Sequence, residues 1–117
     1  MIQVFGTKKC RDTQKALRFF KDRGVETQFR DISDKAPSTG ELDDMARAIG
    51  GFDALLDLEG ATSKARGLAH LVYDARDELL RDALLLRTPI VRPGKGLAAI
   101  GVDEKRWKTF AEAERTH

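Results

Sequence analysis

One cysteine, Cys10, stands among cations: Lys8 and Lys9 precede it, Arg11 follows it, and Thr13 lies three residues on. A thiol reacts with sulfur or another electrophile as its thiolate, so the features that matter are those that favour ionisation. Positive charge nearby is one. The amino end of a helix is another, because its first N–H groups lack intrahelical partners and its macrodipole is positive there. A lone cysteine is ordinarily a small buried hydrophobe, but flanking lysines and a helix start are an unusual setting for an inert core thiol. The candidate chemistry is therefore nucleophilic attack by Cys10.

The neighbouring residues show what must position it. Ile2 to Phe5 is a short run of apolar and β-branched residues closed by Gly6, and after the polar turn Ala16, Leu17 and Phe20 recur one helical turn apart. This spacing predicts a strand over 2–6, a loop, and a helix running to Gly24 with Cys10 in its first turn. Thr13, one turn beyond Cys10, can bring a hydroxyl to the sulfur or can simply be an early-helix residue.

Composition narrows the function classes. In 117 residues, 21 Lys and Arg are interspersed with 19 Asp and Glu for a net charge of +2, which offers no strong footprint for nucleic acid or a membrane surface. No apolar run approaches the length of a membrane span, and the amino terminus lacks the pattern of a secretory signal, so a cytoplasmic protein is expected. A single cysteine cannot form an internal disulfide, and any disulfide chemistry must draw a thiol from another molecule. His70 and His117 are too scattered around Cys10 to suggest a zinc site, and no metal is expected.

Residues 25–32 alternate apolar and polar and predict a second strand, so the first third of the chain reads as a βαβ unit with parallel strands. Ser33 to Pro37 reads as a turn. Ser38 and Glu41 form a Ser-x-x-Glu box ahead of Leu42, Met45, Ala46 and Ile49, which predicts a helix ending at Gly50-Gly51. Phe52, Leu55 and Leu56 suggest a short packed segment, and Leu68, Leu71 and Val72 a further apolar stripe. Residues 75–86 read as one helix with Leu79, Leu80, Ala83 and Leu84 inward. His70 is expected to be packed among apolar neighbours. Residues 89–92 and 97–100 flank a Pro-Gly turn and predict a β-hairpin, and Asp103 can cap a last helix that buries Trp107, Phe110 and Ala111. The organisation expected is a single domain, with a sheet core from 1–34 and 87–117 and a helical insertion over 35–86.

Phe5-Gly6-Thr7-Lys8-Lys9-Cys10-x-x-Thr13, Arg87-Thr88-Pro89-Ile90-Val91, and Ile100-Gly101-Val102-Asp103-x-x-Arg106-Trp107, in this order around a helical insertion, resemble the glutaredoxin-coupled arsenate reductases and the related Spx regulators. The resemblance spans nearly the whole chain. It implies an α/β thioredoxin-like fold, a mixed four-stranded sheet built as βαβ then ββα, with Cys10 as the catalytic thiol and a cis Pro89 beside it. The residues themselves allow Pro89 to be either cis or a trans strand-start proline. The resemblance also implies arginines that hold an oxyanion: one before the cis-proline, one in the insertion and one beyond the hairpin. Thr88, Glu59 and Gly101 stand at those places, and only Arg87, one residue early, is near. Arsenate reduction is doubtful on this pattern, because oxyanion binding depends on charge-assisted and often bidentate contacts. The Cys-x-x-Cys typical of Spx is also missing, since Thr13 replaces its second thiol.

Two functions follow. In the first, the chain is a monothiol oxidoreductase: Cys10 attacks a disulfide or an oxidised substrate, glutathione or a glutaredoxin resolves the mixed disulfide, and no cofactor is bound. Lys8, Lys9 and Arg11 would receive a glutathione carboxylate, with Arg87, Thr88 and Pro89 completing the substrate site; the lysines are equally read as solvated surface charges. In the second, the chain is a non-enzymatic interaction module that binds RNA polymerase or another protein through its leucine-rich insertion. Neither involves a membrane or direct contact with nucleic acid.

Overall fold

The computed structural model describes residues 1–115. The first apolar run forms strand β1 (Ile2–Gly6), with Ile2, Val4 and Phe5 wholly buried. Helix α1 (Arg11–Asp22) follows and carries Thr13, Ala16 and Phe20 on its buried face. Gly24, at φ +69°, lets the chain turn out of the helix, and the N–H of Val25 returns to the Phe20 carbonyl. Val25 therefore belongs to the helix end, and strand β2 spans Thr27–Asp31, shorter than the alternation predicts. It pairs parallel to β1, with Phe29 beside Val4.

The chain returns to the sheet as β3 (Ile90–Gly94) and β4 (Leu97–Ile100), an antiparallel hairpin in which β3 also lies antiparallel to β1. The order β2-β1-β3-β4 is a mixed four-stranded sheet in an α/β chain, as expected of a thioredoxin-like fold. Side chains alternate across it. Ile2, Val4, Val91 and Ala99 meet α1 and the last helix, α5 (Glu104–Arg115), through Phe20, Trp107 and Phe110. Phe5, Ile90 and Ala98 face the insertion and pack with Met45, Leu55, Leu68, Leu79 and Leu85. Asp103 accepts a hydrogen bond from the N–H of Arg106, as a capping residue should.

Within the insertion, α2 (Thr39–Ile49) begins with the expected capping box: Ser38 Oγ accepts from the Glu41 N–H, and Glu41 accepts from the Ser38 N–H. Glu41 is also gripped by both terminal nitrogens of Arg30, at 2.6 and 3.0 Å. These contacts, that with Arg30 foremost, hold its carboxyl at about 2 instead of the usual 4.5. A lowered carboxylate pKa stabilises the fold above the unfolded value, and this contribution disappears as pH falls from 4.5 towards 2. Glu41→Gln is accordingly expected to cost about 2 kcal/mol at neutral pH and progressively less below pH 4.5, checked by urea unfolding at a series of pH values.

Three expectations for the insertion are corrected. The helix expected over 75–86 is α4 (Ala75–Arg81) followed by a 3-10 turn (Ala83–Leu85), because Asp82 leaves the helical conformation and its carboxylate accepts from the Leu84 N–H at 3.0 Å. The break changes the inward set: Leu79, Leu85 and Leu86 are buried, whereas Leu80 and Leu84 are exposed. Leu71 and Val72 are exposed too, leaving only Leu68 of that stripe in the core. His70 is exposed, not packed. Between α2 and α4 lie a 3-10 turn (Asp53–Leu55), the short helix α3 (Ala61–Arg66) and a second 3-10 turn (Leu68–His70).

Candidate active site

Cys10 is the N-cap of α1, one place earlier than expected; its backbone is extended, with φ −79° and ψ 115°. Its N–H donates to the Thr7 carbonyl at 3.2 Å, which closes the turn, and its own carbonyl accepts from Gln14. The side chain is half-buried and makes no capping hydrogen bond. The sulfur therefore sits at the positive end of the helix without being consumed by it.

The residue that meets the sulfur comes from the other end of the chain. Thr88 Oγ1 donates to Cys10 Sγ at 3.1 Å across 78 positions of sequence. The Thr88–Pro89 peptide is cis, Pro89 is buried, and the Pro89 carbonyl accepts from the Gly101 N–H at 2.9 Å. Gly101 takes a φ of +70° at this junction. Its place is thus a backbone one, binding the end of β4 to the loop that presents Thr88.

Partial burial raises the Cys10 pKa, but the Thr13 and Thr88 hydroxyls and the N–H groups of Thr13 and Asp12 outweigh it and hold the thiol below its ordinary value. Lys8, Lys9 and Arg11 do not rank among the foremost of these causes. All three are exposed. Of the two hydroxyls, Thr88 is the firm donor. Thr13 is fully buried, and its Oγ1, close enough to lower the thiol pKa, has no partner of ordinary hydrogen-bond geometry among the described residues. It packs tightly under β1: a Cβ on Gly6 would fall 2.1 Å from Thr13 Oγ1, so only glycine admits the close approach of strand and helix that sets the height of Cys10.

Beside the sulfur opens a cleft of about 760 Å³, walled by Thr7, Lys8, Lys9 and Thr88 on one side and by Gly60, Ala61, Thr62, Leu84 and Leu86 of the insertion on the other. Asp31, Asp34 and Asp57 also border it. Two cations thus face three carboxylates, and among the described residues no guanidinium group lines the cleft. The Asp31 carboxyl is held below its usual value by Ser33, whose hydroxyl and N–H both donate to it, so it stays charged.

Other predicted site residues lie elsewhere. Arg87 is exposed, with its N–H given to the Leu55 carbonyl, and it lines no part of the cleft. Arg11 belongs to a separate groove along α1. Glu59 faces solvent, 88% exposed, in contact with Lys64 at 3.5 Å, and so adds no repulsion inside the cleft. The carboxylates at 31, 34 and 57 went unnoticed in the sequence because acidic residues in loops carry no local mark of what they face.

No protein-family model matches the chain, and no curated protein matches it in sequence. Solved structures do match in shape. A protein from Bacteroides fragilis described as ArsC family related superposes with a TM-score of 0.81 at 18% identity, covering 93% of this chain and 96% of that one. An arsenate reductase from Vibrio cholerae gives 0.72 at 21% identity, covering 95% of each chain. An arsenate reductase related protein from Brucella melitensis gives 0.66 at 19% identity, covering 92% of each. The chain therefore has the fold of these ArsC-related structures, a mixed four-stranded sheet of thioredoxin type.

Proposed function

We propose that the protein is a monothiol oxidoreductase acting by thiol–disulfide exchange. The Cys10 thiolate attacks one sulfur of a disulfide, forming a bond to it while the second sulfur leaves as a thiolate and takes a proton from solvent. A second thiolate, from glutathione or a glutaredoxin, then attacks the mixed disulfide and expels Cys10 as thiolate. Electrons pass from the incoming thiol to the departing one, and the protein ends unchanged. The observation that carries this reading is the hydrogen bond from Thr88 Oγ1 to Cys10 Sγ at 3.1 Å. It stabilises the thiolate as attacking and as leaving group, and it puts a neutral donor where an oxyanion would want a guanidinium.

The test is the rate of Cys10 alkylation against pH. The inflection is expected below the usual thiol range, and Thr88→Val, which keeps the shape and removes the donor, should move it upward. An ordinary, slow thiol in the unmodified protein would leave the reading without its basis.

The cleft's charge makes arsenate a poor substrate. Glutathione-dependent arsenate reduction is expected to be weak or absent in a coupled NADPH assay, and Thr88→Arg should raise arsenate or sulfate binding, a well-placed guanidinium contact being worth about 1.5–3 kcal/mol. Robust turnover by the unmodified protein, lost in Arg87→Ala, would show that Arg87 swings in to supply the charge.

One observation favours a second reading, an interaction module that binds a protein partner through the insertion. Leu71, Val72, Leu80 and Leu84 are all exposed on that part of the chain, apolar surface of the kind that a protein partner would cover. A slow, ordinary Cys10 thiol would leave this reading standing alone.

A further inference from the structure

Along α1 runs a groove of about 510 Å³ lined by Lys8, Lys9, Arg11, Gln14, Lys15 and Arg18. Five of the six are cations and none is acidic. Arg11, Lys15 and Arg18 repeat at helical spacing, so their charges form one row that leads away from the sulfur for about 10 Å. Lys15 is held by Glu104 at 3.4 Å. Among the described residues, Lys9, Arg11 and Arg18 pair with no carboxylate, and Lys8 acts on Asp31 only electrostatically. A row of like charges on one helix face weakens that helix unless something acidic covers it.

Resting on the thiol-exchange reading, we infer that the disulfide substrate is a protein segment whose acidic residues lie along α1 while its other flank enters the cleft. The two grooves share Lys8 and Lys9, which precede Cys10 in the chain, and apart from these one is lined by α1 and the other by the insertion, the loop after β2 and Thr88. Their charge is opposite: cations along α1, and Asp31, Asp34 and Asp57 with Leu84 and Leu86 around the cleft. An extended chain rises about 3.3 Å per residue, so a row of about 10 Å is met by acidic residues one to three places from the substrate cysteine. The apolar or basic residues on the cysteine's other side suit the cleft. A tripeptide thiol reaches Lys8 and Lys9 but not Arg18. Nucleic acid fits less well, because the three carboxylates border the same lysines and repel a phosphate backbone.

The test compares three pyridyl disulfides by release of pyridine-2-thione: a cysteine peptide with three glutamates on one flank, the same peptide with three lysines there, and small hydroxyethyl pyridyl disulfide. Cys10 bonds to the peptide sulfur, or in the third case to the hydroxyethyl sulfur, and pyridine-2-thione leaves. The acidic peptide should react about tenfold faster than the basic one at low salt, with the preference shrinking as salt rises. Arg18→Glu should cut the preference severalfold, the hydroxyethyl compound correcting for any change at the sulfur itself. Equal rates for the two peptides would overturn the inference while leaving thiol exchange intact. Anisotropy of a labelled acidic peptide with serine for cysteine separates the other failure: binding without exchange from any disulfide keeps the docking and overturns the exchange reading. Displacement of that peptide by a single-stranded oligonucleotide of equal charge at lower concentration would assign the groove to nucleic acid and overturn the inference.

Discussion

Cys10→Ser is expected to lower disulfide exchange on the order of 10³-fold or more, because the only thiol of the chain is the proposed nucleophile and a serine hydroxyl stays protonated where a thiol ionises. The fold should tolerate the change and even gain from it. Cys10 is an N-cap whose side chain makes no capping hydrogen bond, whereas serine is among the preferred N-caps and its oxygen can accept from the N–H one turn on. A stability equal to or up to about 1 kcal/mol above that of the unmodified protein is expected from urea unfolding. Activity that survives in this variant would remove Cys10 as nucleophile; activity lost together with folding would show that the sulfur has a packing role which its half-exposed position does not suggest.

Trp107→Ala carries the largest stability effect, about 3–5 kcal/mol. Trp107 is wholly buried and joins α5 to the sheet and to α1, with its ring edge-on to Phe19 at 5.4 Å and tilted against Phe20 at 6.3 Å. Removing it opens a cavity between elements that cannot close over it, since Val4, Val91 and Ala99 are fixed by sheet pairing. Trp107→Phe should behave differently. The indole Nε1 has no hydrogen-bond partner among the described residues, and an unpaired buried donor costs about 1–3 kcal/mol. Phenylalanine removes that donor along with some packing, so the two changes oppose each other and a net loss of about 1 kcal/mol is expected by thermal or urea unfolding. A Phe variant as unstable as the Ala variant would mean that the ring's full width, not merely its presence, holds α5 in place.

What the sequence by itself determined lies in short range. β1, α1, the capping box of Ser38 and Glu41, the hairpin and the Asp103 cap all follow from periodicity and from side chains that satisfy backbone groups within four residues, and each forms close to where that local chemistry puts it. The position of Cys10 at the start of a helix is of the same kind. Local reading failed where distant segments compete with it. Residues 75–86 read as one helix because leucines recur at helical spacing, but Leu86 bridges to Leu56, the Asp57 N–H donates to the Leu85 carbonyl and the Arg87 N–H to that of Leu55. Those bonds demand an extended chain from Leu86 on, Asp82 provides the break, and Leu80 and Leu84 are turned outward as a result.

Tertiary structure alone decided the site's chemistry. It set Thr88 against the sulfur and made hydroxyls and helix N–H groups the foremost cause of the lowered thiol pKa. It also brought Asp31, Asp34 and Asp57 round the cleft and left Arg87 and Glu59 outside it. The physical reason is that hydrogen bonding and charge act over a few ångströms, whereas adjacency in sequence constrains distance only along the chain. A lysine two residues from Cys10 faces solvent, and a threonine 78 residues away donates to its sulfur, because the sheet places β3 beside β1.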